Sequence, residues 1–320
     1  MFRGGPLAEE RVIHLLNRRF VCFYYNLGAG GCGYDADAAA FVKKSGSQPL
    51  LSIYQPTGEL VIALDHGIQK DRLHAVLVRT LTQHAEFNTM TDDEQKTLDA
   101  AKEHADDAAA QLAAGELLDQ LGRAPEAQFR YSMARKLAGT REAAVATLRF
   151  AILARHQQRT RTAALCLDEV ATATASDGAT DRFDLLDDVA LERAHALLDA
   201  KKNAEARDLL TAALRTWPAS NRTGELRWLA GKACYRLGDK PMANYHWTWV
   251  MENLADDRMF MRCYLAVAVE AIPFPNPELD GASMASGVVT HDSADRARAK
   301  AHADYERIRK ELAQAATEKK

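Results

Sequence analysis

The sequence predicts an α/β unit over residues 1–88, an all-α array of helical hairpins over 89–272, and a linker with a charged helix over 273–320. Three observations carry this. Strand-like runs, β-branched and aromatic, are confined to the first part. Beyond residue 88, alanine and leucine dominate, glycine and proline thin out, and nothing alternates with period two. Small residues then recur at Ala127, Ala163, Ala206 and Ala243, spaced 36, 43 and 37 residues, which is an internal repeat.

In order along the chain, "LAEERVIHLLNRR" places Leu7, Val12, Leu15 and Leu16 at helical spacing. "FVCFYYN" reads as a buried strand, and "YDADAAAFVKK" as a short helix with Asp35 as its N-cap. "PLLSIYQPTGELVIAL" reads as two strands around a Gln55-Pro56-Thr57-Gly58 turn, and "DRLHAVLVRTLTQ" as a closing helix. Thr91 and Glu94 form a capping box that starts the all-α region. Gly231 and Gly238 mark a hairpin in "ELRWLAGKACYRLGDKPMANYHWTWVMENL". The unit before it shares Ala194, Ala206 and Ala213, and the first unit has Gly115, Gly122, Ala127 and Tyr131. The unit around Ala151 and Ala163 is weaker. Small residues let two antiparallel helices approach, and large ones fill the space between neighbouring pairs. "DDRMFMRCYLAVAVEAI" reads as a fifth first helix, and the terminal stretch as a charged helix with a solvated face or a cap on the array.

Composition narrows the function classes. A net charge of -3 argues against nucleic-acid binding through bulk charge. No apolar run approaches the roughly 18 residues of a membrane span. The opening residues lack a signal-peptide h-region, so the expectation is a cytoplasmic protein, or a periplasmic or exported one if the true start lies upstream. The five cysteines are scattered without C-x-x-C, and the histidines form no H-E-x-x-H, so neither a metal nor a cofactor is expected.

Gly28, Gly30 and Gly33 spell G-x-G-x-x-G after the first strand. A dinucleotide site also needs a long helix and an acid at the tip of the next strand, and "LLSIYQ" ends without one. Cys32 sits just before a helix, where the dipole favours a thiolate, but Asp35 and Asp37 oppose it. The remaining reading is a flexible turn.

The element order of residues 7–84 resembles the thioredoxin fold, with "RFVCFYYN" similar to its central strand and Pro49 where that family has a cis-proline. The family's Trp-Cys-x-x-Cys is replaced by Leu27-Gly28-Ala29-Gly30-Gly31, which implies a redox-inactive domain. The later repeats resemble tetratricopeptide repeats. That resemblance implies a groove lined by the first helices. Carried over, its positions are Glu116, Asp119 and Gln120, then Arg155 and His156, then His195 and Asp199, then Trp228, Lys232, Tyr235 and Arg236. The basic and aromatic later part, Arg155 to Arg236, is suited to an acidic peptide segment or a chain-terminal carboxylate. The expected function is a non-enzymatic protein-interaction scaffold. The alternative is a thiol-disulfide oxidoreductase acting through Cys32.

Overall fold

The computed structural model describes residues 10–22, 51–64, 70–137, 140–175, 185–255, 257, 259–269 and 291–317. They hold thirteen α-helices and one two-stranded sheet, and the chain divides into two compact units that meet in sequence between Thr89 and Met90.

In the first unit α1 (Glu10–Arg19) buries Val12 and Leu15, three residues apart on one helical face. β1 (Leu51–Tyr54) pairs antiparallel with β2 (Leu60–Leu64), with Leu51 opposite Leu64 and Ile53 opposite Ile62. Gly58 closes the hairpin with φ +81° and donates to the Gln55 carbonyl at 2.9 Å, a geometry that costs glycine little. α2 (Lys70–Gln83) completes the core with Leu73, Val76, Leu77 and Leu81. Of the expected strand at 20–26, only Phe20 to Cys22 are described. They form no strand pairing, and Val21 is 82% exposed.

The second unit opens with α3 (Asp92–Glu103). Its capping box is complete: Glu94 N–H donates to Thr91 Oγ1 at 3.3 Å, and Thr91 N–H to Glu94 Oε2 at 3.0 Å. Four hairpins follow: α4 (Ala108–Gln120) with α5 (Ala124–Arg135), α6 (Arg141–His156) with α7 (Thr160–Ala175), α8 (Leu186–Asp199) with α9 (Asn203–Thr216), and α10 (Thr223–Arg236) with α11 (Lys240–Asn253).

All four fold back through one turn. The residue two past the first helix has positive φ: Gly122 at 73°, Gln158 at 59°, Lys201 at 60° and Gly238 at 83°. The following N–H, on Arg123, Arg159, Lys202 and Asp239, donates to the carbonyls of Leu118, Ala154, Leu197 and Cys234 at 2.8–2.9 Å. This is the Schellman closure, which satisfies the helix's last carbonyls and reverses the chain. Five residues after each turn residue stands a buried alanine, Ala127, Ala163, Ala206 or Ala243. The repeat read from the sequence is therefore a repeat of hydrogen bonds as well as of side chains.

Where the helices of a pair touch, small faces large. A Cβ on Gly115 would lie 2.5 Å from the Tyr131 ring, and one on Gly231 would enter the Trp247 ring. The equivalent pairs in the middle hairpins are Ala151 with Leu167 and Ala194 with Leu210, all buried. α12 (Phe260–Val269) packs on α11 as the expected fifth first helix. α13 (His291–Thr317) is not a solvated helix. It buries Ala297, Ala301, Tyr305 and Ile308, stacks Tyr305 on Tyr245 at 5.7 Å, and holds Asn244 through Asp304 at 3.0 Å. The four buried positions follow the 3.6 period that its many charges mask.

Candidate functional site

The candidate site is the face formed by the first helices α4, α6, α8 and α10. Because the four turns are equivalent, residues at a fixed distance before the turn share a register. One row is Glu116, Ile152, His195 and Lys232; another, four residues on, is Gln120, His156, Asp199 and Arg236. Side chains four apart on a helix lie on one face.

The structure spaces the charges on these helices so that adjacent hairpins bond to each other. Arg149 donates to Glu116 at 3.1 Å, Arg155 to Glu192 at 2.9 Å, and Arg222 to Asp188 at 2.6 Å. Each bond joins residues 33 to 37 apart, close to one repeat. Arg155 also faces Asp199 at 3.6 Å, and Arg236 donates to the Leu198 carbonyl at 2.8 Å. The Arg155–Glu192 pair is the most enclosed, with side chains 13% and 11% exposed. Burial pushes the Glu192 carboxyl above its ordinary value, and the Arg155 guanidinium only partly offsets this. Asp188 is raised for the same reason, with Arg222 as the offsetting charge. A third carboxylate, Asp187, accepts from Ser220 Oγ at 2.5 Å.

The residues named from the sequence divide accordingly. His156, His195, Lys232 and Tyr235 are half-buried on the first helices. His156 Nε2 lies 3.2 Å from Arg155 Nη2. Arg155 and Arg236 each bond across to a neighbouring hairpin, Arg155 to Glu192 and Arg236 to the Leu198 carbonyl. Trp228, expected as an open aromatic platform, is 6% exposed. Its ring packs 5.8 Å from that of Trp247, and its carbonyl accepts from Trp247 Nε1 at 3.3 Å. Its burial follows from Gly231, whose missing side chain draws Trp247 into the first helix. The carboxylates Glu192 and Asp188 were not singled out from the sequence. Opposite charges about one repeat apart are the signal that finds them.

The redox alternative has no thiolate among the described cysteines. Burial raises the thiol pKa of Cys22 and Cys166, takes Cys234 to about 11, and holds Cys263 well above its ordinary value. Cys32, Pro49 and the glycines at 28, 30 and 33 lie outside the described residues. Among the described residues, no three His, Cys, Asp or Glu side chains could together hold a metal ion, and no helix is long and apolar enough to cross a membrane.

No known family model matches the chain, and no curated protein matches it. The reading of the site accordingly rests on its own geometry.

Proposed function

We propose that the chain is a protein-interaction scaffold of tetratricopeptide-like hairpins, which docks an extended segment of a partner protein along the face of its first helices. The carrying observation is the common turn, which brings His195 and Lys232, and His156, Asp199 and Arg236, into rows along successive first helices. Such rows suit a ligand that is itself periodic. The charge bonds between hairpins support a rigid face, and a preformed face loses little freedom on binding. Half-buried Lys232, His195, His156 and Tyr235 are the contact residues in this reading. The first unit, with its β1–β2 hairpin and flanking helices, is a redox-inactive thioredoxin-like domain in the same reading.

The test is affinity capture with the full chain, quantified for wild type, Lys232→Glu, His195→Glu and Cys32→Ser. A protein kept by Cys32→Ser and lost from both first-helix variants is the expected result. Capture unchanged in both variants overturns the face, and capture lost only with Cys32→Ser overturns the scaffold in favour of thiol chemistry.

A further inference from the structure

A half-open groove of about 460 Å³ lies at the amino-terminal end of the array, lined from α3, α4 and α5 and by none of the residues in the two rows above. That volume falls in the range of ligand-accepting clefts. Leu98, Leu118, Pro125 and Phe129 form its apolar wall, and Phe129 is 60% exposed, a large ring left in water.

The charges at its rim are not equivalent. Arg123 is matched by Glu126 through bonds of 2.6 and 2.5 Å, and Lys102 by Asp99 at 2.6 Å. Arg130 is held differently. Its Nη1 donates to Gln111 Oε1 at 3.0 Å and to the Ala101 carbonyl at 3.2 Å, both neutral acceptors. Gln111 is fully buried and itself donates to the Ala101 carbonyl, so the anchor is rigid. Among the described residues, no carboxylate pairs with Arg130. Its guanidinium lies 5.8 Å from the Phe129 ring centre, so a fixed, uncompensated cation stands beside an exposed aromatic.

We propose that this groove docks a peptide segment of a partner protein in which an apolar side chain stands next to a carboxylate. The apolar side chain packs on Phe129, Leu98 and Pro125. The carboxylate accepts from the Arg130 nitrogens that the Gln111 and Ala101 bonds leave over. A guanidinium held on one side presents its other N–H groups in a fixed fork, and a carboxylate fits that fork. The site uses neither Lys232 nor His195, so it stands or falls independently of the first-helix face.

The test is selection of a displayed random-peptide library against the full chain, followed by anisotropy titration of the enriched peptides. The expected sequences place an aliphatic or aromatic residue within two positions of Asp or Glu. Phe129→Ser, at an exposed position, weakens them about tenfold or more with an unchanged melting curve. Arg130→Gln weakens them similarly, and exchanging the peptide acid for its amide then costs wild type but not this variant. If Arg130→Gln unfolds through its Gln111 contact, Phe129→Ser and the acid-to-amide peptide carry the test. No enriched peptide, enrichment without acidic residues, or binding unchanged in Phe129→Ser overturns the proposal. So does a concentration-dependent dimer that Phe129→Ser disperses, since the groove is then a contact between two copies.

Discussion

In the first and fourth hairpins the first helix offers a glycine and the second a ring, Gly115 to Tyr131 and Gly231 to Trp247. In the second and third the same slot holds Ala151 with Leu167 and Ala194 with Leu210. One methyl group given up on one helix is matched by a larger side chain on the other, as close packing requires. The middle hairpins fill that slot with an aliphatic side chain in place of a ring. They are joined instead by the enclosed Arg155–Glu192 bond between them. The end hairpin is held by interlocked rings, with Trp228 and Tyr235 both within 6 Å of Trp247. Two ways of stabilising one repeat coexist in one array, and they respond differently to mutation and to pH.

The strongest way to break the end hairpin is Trp247→Ala, which empties the ring slot and costs about 4 kcal/mol in urea denaturation. The corresponding break in the middle is Arg155→Met, which leaves Glu192 buried without its partner and costs about 3 kcal/mol at pH 8. That penalty shrinks toward pH 4.5. Glu192 has a raised pKa in the fold, so stability tied to its protonated form is present at low pH and lost as pH rises through that value. A penalty equal at both pH values counts against the buried-carboxylate account. Gly231→Ala forces a methyl into the Trp247 ring and costs about 2 kcal/mol despite better helix propensity. Adding Trp247→Leu recreates the alanine–leucine pair of the middle hairpins. A double-mutant cycle is expected to show favourable coupling of at least about 1 kcal/mol, and strict additivity would mean that the slot is not shared.

The end hairpin has the opposite response to acid. Burial, and then the nearby Arg227, hold His246 down to about 3, far below its value in the unfolded chain. The unfolded state therefore binds a proton that the fold refuses, and stability falls as pH drops below about 6.5. The loss between pH 7 and pH 5 is about 2 kcal/mol, and His246→Gln removes that part of the slope in chemical denaturation at the two pH values. The smallest expected change is at the turns. Gln158→Gly and Lys201→Gly relieve a side chain of positive φ, which the end hairpins already do with Gly122 and Gly238, and each stabilises by about 0.5 kcal/mol.

The hairpins were legible in the sequence because Ala127, Ala163, Ala206 and Ala243 mark them directly, and because the Thr91–Glu94 box is a local signal. The bonds between hairpins were not. Arg155 and Glu192 lie on different helices, and unequal connecting segments blur their spacing. Trp228 was misplaced because its position along the helix suggests the open face, whereas its burial depends on Gly231 one turn later and on Trp247 in the next helix. The docking of α13 was masked by charges around Ala297, Ala301, Tyr305 and Ile308, whose spacing of four, four and three is helical once the charges are set aside. A mixed helix and hairpin content was legible in the first unit, where the β1–β2 pair falls around the Gln55–Gly58 turn.

The turn that closes each hairpin uses only hydrogen bonds from within that hairpin, and the alanine five residues later belongs to the same segment. Each hairpin thus carries its own fold-back instruction, readable without its neighbours. A chain built this way can gain or lose length in whole cassettes, with the joints between them, not the hairpins themselves, left to be refitted. The face of its first helices is in that sense a ruler whose marks are set one at a time.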